Sequence, residues 1–528
     1  MEGATFVARS RAGALPWSRV RLSAGHLLVG LVALAVGIRL LGLDARPLWL
    51  DEGYTAWFSS RSWHDLWTVV PTYEPHPPFY YSLLKLWRGL WGDGLVAMRS
   101  LSVLLGVLTV PVIFYAALEH DRQEPGGRPL LRASLAGLLA ACAPILTWHG
   151  QEARPYPLLV FGYALAILSL LRLMRDFRAG GAGSWAAWAA LGVGTELTLW
   201  SHSLGILYGF CLFVALCASA AAPAHNRARW TVLGAVTAVV GLAYVPCLLM
   251  VVERTGDWSA GWLTFKPMMT LQLLGLYSVP LEALTVVSFG AVLIMLVMAK
   301  RALSFVAGQA GWTTSRALVL LWLGPPVLAI LISATLAPVF LIRTLVPTVV
   351  PAYLMIAAAV ARIDSRERVL AVALLFGSIT VTAAQMSTRK PAEKWDEVGA
   401  YLAEQVKPGD EVWLYPNDSV LPLADVARRS GHDYPVRSVP AAFPALGVEG
   451  PVRAGSPAVV SVTRAQAERI VRDPAAAKVR TVWLVTRQSK LFDPDGDFTY
   501  ALAGVRRPGP WREWGYIKVQ AFTRTGER

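Results

Sequence analysis

The chain has 528 residues, of which 55% are hydrophobic and only 16% charged, with 21 tryptophans. That profile excludes an ordinary soluble enzyme of this length and points to a bilayer. The formal net charge of +14 does not mark a nucleic-acid partner, because the basic residues are scattered through short loops rather than gathered on one helix beside aromatic platforms.

A helix crossing the hydrocarbon needs roughly 20 predominantly apolar residues. Such stretches fall at about 24–43, 95–118, 131–148, 157–174, 185–200, 203–221, 230–252, 281–299, 317–336, 345–361 and 369–386, which predicts about eleven transmembrane helices. Only WSHS (200–203) separates the fifth from the sixth, and Glu196 sits inside the fifth. The first follows a basic segment (Arg9, Arg11, Arg19, Arg21), but no small-residue cleavage site intervenes before Arg46, so it reads as a retained span. Arg and Lys recur in every second loop, as Arg122 with Arg128, Arg175 with Arg178, Arg227 with Arg229, Lys300 with Arg301, and Arg366 with Arg368. The positive-inside rule therefore predicts a cytoplasmic N-terminus and an external C-terminus. Cys142, Cys211, Cys217 and Cys247 all fall in expected spans, as small core residues rather than a metal CxxC or a disulfide framework.

Two segments outside the spans are long. The first, 44–94, holds PLWLDEGYTA (47–56) and PHPPFYYSLLKLWRGLW (75–91). Phe79, Leu83, Leu86 and Leu90 recur there at helical spacing, away from Lys85 and Arg88, as in a helix lying in the membrane interface. The second is the tail, 387–528, where Pro, Asp, Arg and Gly increase. It predicts an amphipathic helix (Trp395, Val398, Leu402, Val406) and a turn at Pro408 and Gly409. Strands follow at 410–415, 458–462, 481–486 and 516–523, with a helix near 463–472. The expected organisation is a polytopic α-helical membrane domain over 1–386 and an extracytoplasmic α/β domain over 387–528.

Charged side chains against hydrocarbon are costly and tend to be paired or functional. With alternating spans, Asp51, Glu52, Glu74, His76, Glu152, Arg154, Tyr156, His202, Lys266 and Arg343 all reach one face, which points to a single extracytoplasmic site. Each also has a plainer role. Acids in a first helical turn satisfy free amides and suit the dipole, Glu152 and Arg154 form an ion pair at a span end, His76 and His202 serve as turn residues, and Arg343 snorkels to the interface. Glu74, His76 and His202 are competent metal ligands, but their irregular spacing argues against a required divalent cation, and no cofactor is expected.

PLWLDEGYTAW, EPHPPFYYSLLKLW, QEARPYPLL after the third span and FLIRTLVP before a late one resemble the GT-C superfamily of integral-membrane glycosyltransferases. The likeness covers about 20–386 and is nearest the bacterial branch related to protein O-mannosyltransferases and lipid A aminoarabinose transferase, similar to glycosyltransferase family 39. It implies a polyprenyl-phosphate sugar donor and a site on the outer face of a bacterial inner membrane. It further implies Asp51 as the catalytic acid, Glu52 as its neighbour and Glu152 as a second acid. His76 precedes the Pro pair, where aminoarabinose transferases have Lys and mannosyltransferases often have His, so the sugar stays open. The tail is unlike the β-trefoil repeat of eukaryotic mannosyltransferases, and a lipid, glycan or protein acceptor all stay open.

The residue types suit such a transfer. A carboxylate, Asp51, serves as base for the acceptor hydroxyl. Arg154 and Arg343, assisted by His76 or Lys266, meet the departing phosphate. Trp49, Tyr54, Trp57 and Tyr80 offer stacking faces for the sugar, with Glu74, Tyr156 and His202 as further substrate contacts. The expected course is inverting, without a covalent intermediate. The rival reading, a transporter or flippase of lipid-linked saccharides, calls for charges near the midplane and two related halves; only Glu196 is plausibly deep, and no half-repeat is visible.

Overall fold

The computed structural model describes residues 23–221, 226–255, 264–273, 286–369, 371–372, 377, 393–453 and 455–525. Helix α1 (Ala24–Leu40) leads into three short helices, α2 (Leu50–Ser60), α3 (Trp63–Thr68) and α4 (Phe79–Trp91). The bundle continues through α5 (Leu95–Gln123), α6 (Pro129–Cys142), α7 (Pro144–Gly150), α8 (Tyr156–Arg178), α9 (Trp185–Ser201), α10 (Gly205–Ala221) and α11 (Arg227–Thr255). Helices Val286–Ala307, Thr314–Thr335 and Val349–Arg362 follow.

Among the described residues, five segments are long and apolar enough to cross a membrane: Leu95–Gln123, Tyr156–Arg178, Arg227–Glu253, Thr314–Thr335 and Ile342–Arg362. The chain is an integral membrane protein. Helices α6 and α7 pass the same test together as one span bent by 48°. The bend falls at Pro144, which cannot continue the amide ladder but suits the first turn of a new helix. Helices α1 and α10 are apolar but shorter. The expected fifth and sixth spans are separate helices, α9 and α10, broken where His202 turns extended. Most of the expected last span, 369–386, and residues 281–285 of the eighth lie outside the described residues. Helices α8 and α9 approach closely because both present glycine: a Cβ on Gly194 would stand 2.6 Å from the Ala166 amide nitrogen.

Helix α4 forms as its periodicity predicts. Tyr80, Tyr81 and Leu84 are buried, while Leu86 and Leu90 of the apolar stripe are exposed, as is Trp91 at the helix end. Lys85 and Arg88 reach back over the preceding helices, Lys85 Nζ to the Arg61 carbonyl at 2.6 Å and Arg88 Nη1 to the Ala56 carbonyl at 2.7 Å.

The tail folds around a five-stranded mixed sheet of order β2-β1-β3-β5-β4. The strands are β1 (Glu411–Tyr415), β2 (Val436–Ser438), β3 (Thr481–Arg487), β4 (Arg506–Trp514) and β5 (Ile517–Arg524). The first three pair in parallel and the last two antiparallel. The helix Trp395–Gln405 buries Trp395, Val398 and Leu402 against this sheet, on the face its periodicity marks.

Two expectations fail here. Residues 458–462 are not a strand; short β2 occupies the ladder beside β1, and the segment's polar groups are met elsewhere, the Ala458 carbonyl by Asn417 Nδ2 at 3.0 Å and the Val462 amide by the Tyr415 hydroxyl at 3.1 Å. Strand β4 falls outside the expected strands, because RRPGPWREW interrupts its alternation with Pro and Gly, which a sheet edge tolerates.

Candidate active site

Asp51 and Glu52 occupy the first turn of α2, and Trp49 before it supplies no side-chain cap. Neighbouring helical residues point about 100° apart, so the two acids meet different surroundings. Glu52 is fully buried and accepts from Arg99 Nε at 2.8 Å, Arg99 Nη2 at 2.6 Å and the Ala153 amide at 2.8 Å. Arg99 also donates to the Leu43, Arg46 and Pro47 carbonyls. Glu52 thus ties α2 to α5 and to the connection between α7 and α8, and it does not line the site.

Asp51 faces a cavity of about 340 Å³. Its Oδ2 accepts from Arg343 Nη1 at 3.0 Å, with Arg154 Nη2 at 3.7 Å. Arg154 Nη1 also donates to the Asp51 carbonyl at 3.0 Å and the Thr55 hydroxyl at 3.3 Å. Burial opposes the charge on Asp51, but the guanidinium groups of Arg343, Arg154 and Arg487 outweigh it and hold the carboxyl below the usual range. Tyr54, Glu74, His76, Arg154, Tyr156, His202 and Arg343 line the same cavity, with Trp49, Leu204, Val339 and Leu341 as apolar wall.

The EPHPP turn brings His76 to His202, with ring centroids 4.1 Å apart and His76 Nδ1 3.2 Å from the Ser203 hydroxyl. Burial, then the neighbouring imidazole and Arg154 and Arg343, pushes His76 well below the ordinary histidine range. Burial and the same two arginines lower His202 to about 3. Both rings are neutral near pH 7, so the positive charge here belongs to arginine, and His76 offers hydrogen bonds rather than charge. Glu74 accepts from the Tyr81 hydroxyl at 3.1 Å and the His76 amide at 3.3 Å. Burial still raises its carboxyl to about 7, against the opposing pull of Arg154 and these two bonds.

Five expected site residues lie elsewhere, the first being Trp57, whose ring packs between Phe443 and the Arg61 guanidinium outside the cavity wall. Glu52 is committed to Arg99. Glu152 is buried beside His149, its Oε2 3.1 Å from Nδ1, rather than in the cavity wall. Tyr80 is buried between helices with its hydroxyl 3.2 Å from that of Ser102. Lys266 is exposed, because its neighbours Phe265 and Met269 take the inward positions against the bundle. Among the described residues, no three His, Cys, Asp or Glu side chains come together as a metal site.

The tail supplies a further wall that hydropathy and motif spacing do not foretell: Glu393, Asp418, Ser456, Arg487, Gln488 and Phe492. Arg487 Nη2 donates to Asp418 Oδ2 at 3.0 Å, and the Tyr54 hydroxyl donates to the same oxygen at 2.6 Å. Asp418 follows β1 and Arg487 ends β3, two adjacent parallel strands. The carboxyl ends of parallel strands are where α/β sheets usually place ligands, which is the one signal in the chain that points to these residues.

No protein-family model matches the chain, and no curated protein matches it by sequence. Solved structures do. ArnT from Cupriavidus metallidurans in its apo state is 15% identical, with 94% of this chain and 98% of that one covered at a TM-score of 0.60. The same protein bound to undecaprenyl phosphate is 16% identical over the same shares, at 0.57. The oligosaccharyltransferase AglB from Archaeoglobus fulgidus, in complex with an inhibitory peptide and a dolichol-phosphate, is 14% identical, with 95% and 74% covered at 0.53. At these identities the likeness is one of fold, and the helical bundle with its C-terminal sheet shares the GT-C fold of ArnT and AglB.

Proposed function

We propose that the chain is an inverting glycosyltransferase of the bacterial inner membrane. It moves a sugar from a polyprenyl-phosphate donor to a hydroxyl or phosphate of a lipid, glycan or protein acceptor on the extracytoplasmic face, where the C-terminal α/β unit also lies. The observation that carries this reading is the convergence of Arg154, Arg343 and Arg487 on one cavity around Asp51, each with an Nε that has no acceptor among the described residues. Arginine forks suit phosphate oxygens. Undecaprenyl phosphate in ArnT and dolichol-phosphate in AglB agree with a lipid-phosphate donor on this fold.

With a hydroxyl acceptor, the acceptor oxygen bonds to the anomeric carbon as the bond from that carbon to the phosphate oxygen breaks. The electron pair leaves with the polyprenyl phosphate, and the acceptor proton passes to Asp51. The phosphate goes from one negative charge in the diester to nearly two in the product at pH 7. Arg154 and Arg343 therefore bind it more strongly as the bond breaks, which is where catalysis is gained. Donor phosphate also competes with Asp51 for those arginines, and its charge raises the proton affinity of Asp51 when a base is needed.

Purified protein in vesicles with radiolabelled polyprenyl-phosphate sugars tests this directly: transfer of label with release of lipid phosphate is expected. No turnover of any such donor across lipid, glycan and protein acceptors would sink the reading. The scheme uses no metal, and activity is expected to survive exhaustive chelation.

A further inference from the structure

Helix α2 is held from two sides. Glu52, Thr55 and the Asp51 carbonyl are tied to the bundle through Arg99, Ala153 and Arg154. The other face belongs to the C-terminal unit: Tyr54 donates to Asp418 at 2.6 Å, and a Cβ on Gly53 would stand 3.1 Å from that of Leu421 and 3.3 Å from the Pro422 nitrogen. The first-turn acids do not cap their own helix through their side chains, because Asp51 and Glu52 are turned to arginines.

The Leu50 amide donates instead to Glu393 Oε2 at 2.8 Å, across 343 positions of sequence. Glu393 is itself fixed. The same oxygen accepts from Trp395 Nε1 at 3.0 Å, Trp395 is fully buried in the core of the C-terminal unit, and the Glu393 backbone bridges to Gly515 beyond β4. Arg487 Nη1 stands 3.9 Å from Glu393 Oε1. A carboxylate at a helix start satisfies a free amide and opposes the positive end of the helix dipole.

We propose that Glu393 is a positioning residue for the transfer reaction, a cap supplied by the C-terminal unit that sets where α2 begins and hence where the Asp51 carboxylate stands. The C-terminal unit then works as part of the active site rather than as a separate module. This rests on the transferase reading above, and its test includes a measurement that does not.

Glu393→Ala and Glu393→Gln are made in the full chain and compared with wild type in vesicles, with kcat and donor KM measured separately. The alanine variant is expected to lose about tenfold or more in kcat, with donor KM within about threefold, since a misplaced catalytic group slows the chemistry more than donor binding. The glutamine variant is expected to recover most of that loss, because both donors meet a single oxygen that its amide carbonyl can replace. Hydrogen–deuterium exchange over residues 47–58 reports the cap without any activity: exchange in the first turn of α2 quickens in the alanine variant and stays slow in the glutamine variant. Unchanged kcat or unchanged exchange in the alanine variant, or a glutamine variant as impaired as alanine, overturns the proposal. If wild type transfers no sugar, the transferase reading fails and the exchange result alone decides whether Glu393 caps α2.

Discussion

Asp51 and Arg343 stand 292 residues apart in the chain, and their side chains meet at 3.0 Å across the cavity wall. The pair joins a helix of the first long loop to the start of a late membrane segment, Ile342–Arg362, with Arg154 at 3.7 Å from the same carboxylate oxygen. In the proposed reaction, this acid between two guanidinium groups exchanges partners with the incoming donor phosphate.

Asp51→Asn is expected to lower kcat by at least about a hundredfold, the usual scale for loss of a general base. Donor affinity should hold or improve, because the competing carboxylate charge is gone. Label transfer measured beside donor binding checks both halves, and full activity in the variant would remove Asp51 from the chemistry.

Arg343→Ala is expected to reduce kcat/KM for the donor by about 10- to 100-fold, from the loss of charged hydrogen bonds to phosphate. Arg343→Lys should restore only part, since an ammonium is a point charge without the planar fork. The comparison is made by steady-state kinetics at several donor concentrations; an Arg343→Lys variant equal to wild type would argue against two-point contact.

Glu74 supplies a pH test. Its carboxyl, raised to about 7 by burial, is neutral below that value and ionised above it. Ionisation adds a negative charge beside the donor phosphate and Asp51, only partly balanced by Arg154. Donor KM should therefore rise as pH passes upward through about 7, and Glu74→Gln, permanently neutral, should flatten that rise. Donor KM measured from pH 5.5 to 8.5 checks it; the opposite slope would remove Glu74 from the donor site.

Glu52→Gln is expected to destabilise the fold rather than the chemistry. Glu52 and Arg99 are both buried and 2.6 Å apart, so neutralising the acid leaves a buried guanidinium uncompensated, at a cost of about 3–5 kcal/mol. Thermal unfolding in detergent should show a clear fall for Glu52→Gln and little change for Asp51→Asn, whose carboxylate borders the cavity.

Much of the site is legible in the linear chain. Asp51, Glu74, His76, Arg154, His202 and Arg343 are polar residues beside apolar runs, and alternation of spans is enough to bring them to one end of the bundle. Glu52 and Glu152 are equally visible, but a linear pattern does not tell which acid faces a cavity and which faces a buried partner. Lys266 has the right charge in the right loop, yet Phe265 and Met269 hold the inward positions there.

The sequence by itself determined the membrane character, most helix positions, the apolar stripe of α4 and the kinds of side chain available to the site. All of these follow from local hydropathy and periodicity, which the backbone obeys wherever the segment ends up. Only the tertiary structure decided that Asp51 meets Arg343 while adjacent Glu52 meets Arg99, that Glu74 sits deep enough to keep its proton near neutrality, and that Glu393, Asp418 and Arg487 of the tail form a wall of the cavity. Those outcomes depend on a rotation of about 100° between neighbouring helical residues and on contacts across hundreds of positions, where geometry in three dimensions, not composition, sets the partner.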